Sequence, residues 1–262
     1  MLISQVCKQA DFETDWFKRA CEKLKEPFKY HRKLWEYCYI YEALLQNGVL
    51  KPTSKGLGFG VGKEPLAAAF ASHGCEVTAT DLHTERAFQM GWVSTNQHSK
   101  NLLDLNERGI CDPHHFQQLV SFEFLDMNHI PEKFTNAYDF TWSSCAFEHC
   151  GNIELGRNFI INQMLCLKPG GVAVHTTEFN LTSNEETIDH GTLVLFRKQD
   201  IEWMVEALRS VGYSIEIDYT LGTGPIETYV DLPPYQSEYH LRLQLLQFTS
   251  TSIGLIIKKT SN

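Results

Sequence analysis

Four glycines at alternate positions, Gly56, Gly58, Gly60 and Gly62, stand in the stretch SKGLGFGVGKEPL between Ser54 and Leu66. A run of this kind sacrifices backbone entropy, and it is useful where the chain turns sharply or lies against something that a Cβ would displace. Pro65 suits the first turn of a helix, and PLAAAFASH is strongly helix-forming with Gly74 as its stop. A helix start presents unpaired N–H groups and a partial positive charge, which suits an anionic group. In open α/β sheets such a junction lies beyond the C-terminal ends of the strands, where ligands bind. The spacing narrows the ligand. A dinucleotide G-x-G-x-x-G fails in every register, because Val61, Lys63 and Pro65 stand where the third glycine belongs. The phosphate-binding G-x-x-x-x-G-K-[ST] fails at Leu57 and at Glu64. What remains is G-x-G-x-G from Gly58 to Gly62, with Asp81 about twenty residues further on.

The rest of the chain alternates strands with helices. CEVTATD reads as a buried strand ending at Asp81, SFEFLD as another ending at Asp126, and AYDFTWSS as a third ending near Ser143. After the helix LGRNFIINQMLCL, KPGG turns the chain into GVAVHTTEF. The amphipathic helix KQDIEWMVEALRSVG precedes the strands YSIEIDY and TSIGLIIKK. This pattern predicts an α/β fold, a Rossmann-like doubly wound sheet that is mostly parallel and covered on both faces. The first fifty residues read as helical, since HRKLWEYCYIYEALLQNG places Leu34, Cys38, Tyr41 and Leu45 on one stripe. We therefore expect a helical cap over residues 1–50 and a ligand-binding domain over residues 51–262, forming one unit. Two connections are long: Leu82–Ser121, with an expected helix around Ala87 and another element in DPHHFQQLV, and Leu221–Leu241. Long loops in compact domains often cover binding sites.

Charge and cysteines bound the partners. The net charge of −9 argues against a nucleic-acid surface, which is usually basic. The eight cysteines form no C-x-x-C pair and several lie in apolar runs, which predicts reduced, buried thiols and a cytoplasmic protein. MLISQVCKQADFETDW lacks the basic start and apolar run of a secretory signal. No apolar run approaches the roughly 18 residues of a membrane span.

Five motifs follow in order: GLGFGVG, VTATD, FLDMN, SSCAFEHCG and LKPGG. From about Leu34 to the C-terminus the chain resembles the class I S-adenosylmethionine-dependent methyltransferases. The Glu-His pair resembles the group with small-molecule and quinone enzymes; FEHCGNIELG and HTTEFN resemble, more loosely, enzymes of glycan or natural-product pathways. The resemblance implies S-adenosylmethionine as cofactor and S-adenosylhomocysteine as product. It implies that Gly58, Gly60 and Gly62 admit the methionine part and that Asp81 accepts from both ribose hydroxyls. Asp126 would take the adenine amino group, Met127 would pack on the ring, and Ser143 and Ser144 would line the methionine moiety. One position departs from the family. The acidic residue usual two places before the first motif glycine is replaced by Gly56, and Glu64 is the candidate substitute; it could equally serve only to complement the helix dipole.

Methyl transfer from a sulfonium is an in-line displacement, and an alcohol acceptor also has a proton to lose. His149 is the candidate base, with Glu148 beside it. HTTEFN adds Glu178 as a further catalytic candidate, and His175 and Asn180 as substrate-binding candidates. Alternation points His175 and Thr177 one way, Thr176 and Glu178 the other. Arg197 could bind an anionic group of the substrate or form a surface ion pair. The His and Glu residues match no metal-ligand spacing, so no metal is expected. His114 and His115 are expected at the surface. The expected function is methyl transfer to a hydroxyl of a small molecule or saccharide. The alternatives are a non-catalytic binding or scaffold protein of the same fold, which Gly56 favours, and a nicotinamide-dependent oxidoreductase, which the failed glycine register disfavours. No N-P-P-[YF] tetrapeptide follows AYDFTWSS, which counts against methylation of base amino groups.

Overall fold

The computed structural model describes residues 1–83, 102–236 and 238–260. The helix expected around Ala87 lies outside the described residues. The chain runs β1 (Ser4–Val6), α1 (Gln9–Phe12), α2 (Asp15–Leu24), α3 (Arg32–Gln46), β2 (Lys55–Phe59), α4 (Leu66–Ser72) and β3 (Glu76–Asp81). It continues with α5 (Pro113–Leu119), β4 (Val120–Phe124), β5 (Tyr138–Ser144), α6 (Ile153–Gln163), β6 (Leu167–Asn180) and α7 (Lys198–Ser210). The last elements are β7 (Ile217–Asp218), α8 (Pro225–Thr228), β8 (Val230–Asp231), β9 (Arg242–Leu245) and β10 (Phe248–Lys258).

One sheet has the order β4-β3-β2-β5-β6-β10-β1-β7. Every pairing from β4 to β6 is parallel, and β10 runs antiparallel to β6. The chain leaves β2 toward β3 on one side and returns to β5 on the other. That reversal opens a crevice at the C-terminal ends of β2 and β5, the place where ligands bind in such sheets. Both faces are covered. One core gathers Phe70, Phe140 and Trp142 with the helices α2 to α5, and the other gathers Phe59, Phe147, Phe159 and Met204 with α6 and α7. The expected α/β fold with a mostly parallel sheet is the observed one.

The first fifty residues are not helical throughout. Ser4–Val6 adds a strand between β10 and β7, pairing Gln5 with Gly254 and Ser4 with Ile217. α3 then packs so closely on β10 that a Cβ at Gly254 would lie 2.1 Å from the Tyr39 ring. Its stripe is buried at Leu34, Cys38 and Tyr41 but ends at Leu45, which is exposed. YSIEIDY contributes the two-residue strand Ile217–Asp218, and Ser214 adds an isolated bridge to Lys258 of β10. All eight thiols are free, and all but Cys145 are buried. Among the described residues no helix is long and apolar enough to cross a membrane.

Candidate cofactor cavity

β2 ends at Phe59, and the chain then turns through Gly60 (φ +59°) and Gly62 (φ +49°), both in the left-handed region that favours glycine. A Cβ at Gly60 would also lie 2.8 Å from Ala146 Cβ and 3.6 Å from Met127 Sδ. Gly56 and Gly58 serve another purpose. A Cβ there would meet the Phe140 ring at 2.3 Å and Trp142 Cζ2 at 2.3 Å, so these glycines make room for an aromatic layer under the sheet.

Beyond the turn lies a cavity of about 760 Å³, within the usual range for small-molecule sites. Residues 60–64, 81–82, 125–128, 144–146, 149–151 and 191–192 line it, with Lys33, Tyr37 and Arg108. Asp81, the last residue of β3, is buried there. Its Oδ2 accepts from Gly62 N (3.2 Å) and its Oδ1 from Leu82 N (2.8 Å), so backbone amides hold the carboxylate against the glycine turn. The next strand end is tied to it by Leu125 N donating to Asp81 O (2.9 Å), which brings Asp126 and Met127 onto the same wall. Asp126 Oδ1 accepts from Asn128 N (3.0 Å).

Glu64 stands at the start of the α4 region with 4% of its surface exposed. Trp142 Nε1 donates to its Oε1 at 2.5 Å. Burial pushes its carboxyl up to about 8; the indole hydrogen bond and Lys33 oppose the shift, and Asp81 and Glu36 add to it. A buried carboxyl of this kind gains most from a cation brought by a ligand.

The wall after β5 is shaped by Cys145, a non-glycine residue at φ +44°. Such a conformation costs roughly 1–3 kcal/mol and persists only where its surroundings enforce it. Here Cys145 N donates to Thr176 O (3.0 Å), and Cys145 Sγ donates to Glu36 Oε1 (3.0 Å). Glu36 also accepts from Arg32 Nη1 (3.1 Å), Lys33 Nζ (2.9 Å), Ser144 Oγ (3.1 Å) and Ser252 Oγ (2.5 Å). Burial alone would raise its carboxyl, but Lys33 and Arg32 outweigh burial and hold it at about 2.

In a comparison with solved structures, the Burkholderia thailandensis 1,6-didemethyltoxoflavin-N1-methyltransferase, with bound 1,6-didemethyltoxoflavin and S-adenosylhomocysteine, aligns with a TM-score of 0.50. The two are 14% identical over 84% of this chain and 77% of that one. The glycopeptide N-methyltransferase MtfA also aligns with a TM-score of 0.50, at 13% identity over 84% of this chain and 94% of that one. This chain has the class I methyltransferase fold. No family model matches its sequence, and no curated protein does.

On this methyltransferase fold the residues singled out in the sequence divide into two groups. Gly60, Gly62, Glu64, Asp81, Asp126, Met127, Ser144 and His149 line the cavity. His149 Nδ1 lies 2.6 Å from Thr192 O and donates to it, which leaves the lone pair of the neutral ring on Nε2. Gly58, Ser143, Glu148, His175, Glu178, Asn180 and Arg197 do not line the cavity. Gly58 packs against Trp142, as above. Ser143 Oγ and His175 Nδ1 bond each other at 2.7 Å in the core, where the His175 ring meets Phe147 and Phe159 edge-on and burial holds its pKa down to about 3. Glu148 turns away from its neighbour His149 and accepts from Thr177 Oγ1 (3.0 Å); burial raises its pKa, with Glu178 adding and His149 opposing. Glu178 pairs with Arg32 and accepts from Ser250 Oγ (2.5 Å). Asn180 organises the following turn through Thr182 N (2.8 Å) and Ser183 N (3.1 Å). Arg197 stands at the N-cap of α7, with Nε 2.8 Å from Oδ2 of the buried Asp200, an ion pair set into the protein rather than on its surface.

Cys145, Glu148 and Glu178 offer donor atoms within 4.8 Å of one another. The guanidinium of Arg32 already lies against that set, paired with Glu178 and 3.6 Å from Cys145 Sγ, and it supplies the positive charge. Sequence reasoning missed Lys33 and Tyr37, which reach the cavity from α3. Their available signal was the polar run Arg32, Lys33, Glu36 and Tyr37 on a face away from the apolar stripe.

Proposed function

We propose that the protein is an S-adenosylmethionine-dependent methyltransferase acting on a hydroxyl of a small molecule or saccharide. The observation that carries this reading is the cavity wall on which Asp81, held by backbone amides, faces a glycine turn where a Cβ at Gly60 would crowd Ala146. The residues present fit the cofactor. Asp81 would take the ribose hydroxyls, Asp126 the adenine amino group, and Met127 the ring face. Gly60, Gly62 and Ser144 would lie along the methionine part, and Glu64 would receive its ammonium. We read residues 1–50 as a cap that closes this cavity through Lys33 and Tyr37.

The bound cofactor supplies an electrophilic methyl group on a sulfonium. The chain's part is to align the acceptor with it, worth roughly 7–11 kcal/mol in favourable cases, and to take the hydroxyl proton. His149 Nε2 is the group for that proton, since Thr192 O fixes the tautomer; a positioned base adds about 10²–10⁴-fold. Glu148, Glu178 and His175 would act only through the packing that holds the wall. The two solved structures above are named N-methyltransferases, so an amine acceptor is the second reading; a neutral amine has its own lone pair and does not need His149.

Calorimetric titration with S-adenosylhomocysteine tests the cofactor. The wild type should bind, and Asp81→Asn should weaken binding by roughly 10–150-fold, the range for hydrogen bonds to a charged group. No binding by the wild type at millimolar ligand would overturn the proposal. Hydroxyl and amine acceptor panels, read by the mass gain of one methylene, decide between the acceptor classes.

A further inference from the structure

The amino-acid end of S-adenosylmethionine carries an ammonium and a carboxylate on one carbon. The groups that receive them must therefore be neighbours of opposite charge. Glu64 answers the ammonium in the reading above. The cavity wall next to it is formed by α3, which presents Lys33 and Tyr37 four residues apart and so on the same helix face. Lys33 Nζ bonds Glu36 Oε2 at 2.9 Å, and an ammonium has three N–H donors. Glu36 is also held by Arg32, Ser144, Cys145 and Ser252, so its position does not depend on Lys33. The Tyr37 hydroxyl makes no hydrogen bond among the described residues, although the ring lines the cavity. Burial raises its pKa and keeps it protonated, with Lys33 opposing the shift and Glu64 adding to it. Arg108, also on the wall, is engaged by Glu26 (2.5 Å) and by Lys63 O (3.1 Å).

We propose that Lys33 and Tyr37 bind the carboxylate of the cofactor's amino-acid end, so that α3 and Glu64 grip the two charges of one zwitterion. The proposal rests on the methyltransferase reading and adds a function for the N-terminal helix. Neither Lys33 nor Tyr37 contacts the sulfonium or the acceptor proton in this arrangement. Their effect is selective: they favour the cofactor over the same nucleoside without its carboxylate.

The test compares S-adenosylhomocysteine, its decarboxylated analogue and 5′-methylthioadenosine, which lacks the amino-acid end, by calorimetry on the wild type, Lys33→Met, Lys33→Arg and Tyr37→Phe. The wild type should prefer the carboxylate-bearing ligand. Lys33→Met should weaken S-adenosylhomocysteine roughly 10–150-fold and leave the decarboxylated analogue within about threefold. Lys33→Arg should restore much of the preference, and Tyr37→Phe should lose a smaller share of it. Unchanged binding of 5′-methylthioadenosine shows that a variant is folded; if Lys33→Met does not fold, Tyr37→Phe decides. Equal weakening of both longer ligands, or of neither, overturns the clamp while the methyltransferase reading stands. Failure of the wild type to bind any of the three overturns both.

Discussion

Replacing Glu64 by glutamine should make the empty protein more stable and its hold on the cofactor weaker. The Glu64 carboxyl is buried and moves from its ordinary 4.5 up to about 8 on folding. Between those values the native state keeps a proton that the unfolded chain has released, so stability falls as pH rises through the window. One unit corresponds to about 1.4 kcal/mol, so at pH 7 the cost is about 3 kcal/mol, and it approaches about 5 kcal/mol above pH 8. Glutamine keeps an acceptor for the Trp142 indole and has no proton to lose. Glu64→Gln should therefore match the wild type near pH 5 and exceed it increasingly above that, with a melting temperature roughly 6–12 °C higher at pH 7. Thermal unfolding without ligand from pH 5 to 9 gives the first readout. The second is binding: an ammonium beside the carboxyl should drive out its proton, so wild-type affinity for S-adenosylhomocysteine should rise from pH 6 to 8. Calorimetry in buffers of different ionisation enthalpy would count that proton. Glu64→Gln should lose the pH dependence and roughly 10–150-fold in affinity. A stability difference that does not change with pH, or an affinity that the substitution leaves alone, would refute the reasoning.

Other substitutions separate the cavity from the scaffold. Gly60→Ala adds a Cβ 2.8 Å from Ala146 at a left-handed φ, so it should cost about 1–2 kcal/mol in chemical denaturation and also lower cofactor affinity. Gly58→Ala drives its Cβ into Trp142 and Val61; it should cost about 1–3 kcal/mol in chemical denaturation, and it should lower affinity only indirectly, by shifting the indole that holds Glu64. His149→Gln should lower kcat on a hydroxyl acceptor by about 10²–10⁴-fold while S-adenosylhomocysteine affinity stays within about twofold; an undiminished kcat removes His149 as base. Glu178→Gln leaves Glu36 as the one carboxylate paired with the Arg32 guanidinium among the described residues and should cost about 1–3 kcal/mol by urea unfolding.

The run of strands and helices was legible because each strand is a short apolar stretch closed by a polar residue, and each helix carries its own stop. Asp81 could be placed at a strand end for that reason. β1 could not be read: three residues hold no periodicity, and what makes them a strand is the vacant place between β10 and β7. The glycine run was legible as an anomaly but not in its parts. A glycine that turns the chain beside the cavity and one that clears an indole look alike in the sequence, and only the position of Trp142 separates Gly58 from Gly60. Likewise Glu148 and His149 are adjacent, yet a single turn sends one into a polar core and the other to the cavity.

By itself the sequence determined the α/β class, the strand-end carboxylates and the turn beside them, since each depends on residues close together in the chain. Only the tertiary structure decided which charged groups line the cavity. β6 is buried throughout HTTEFN, so alternation there could not carry His175 or Glu178 to the cavity, whereas α3 brings Lys33 and Tyr37 to it from far away in the chain. Burial and partnership between distant residues set that outcome, and neither is written in local spacing.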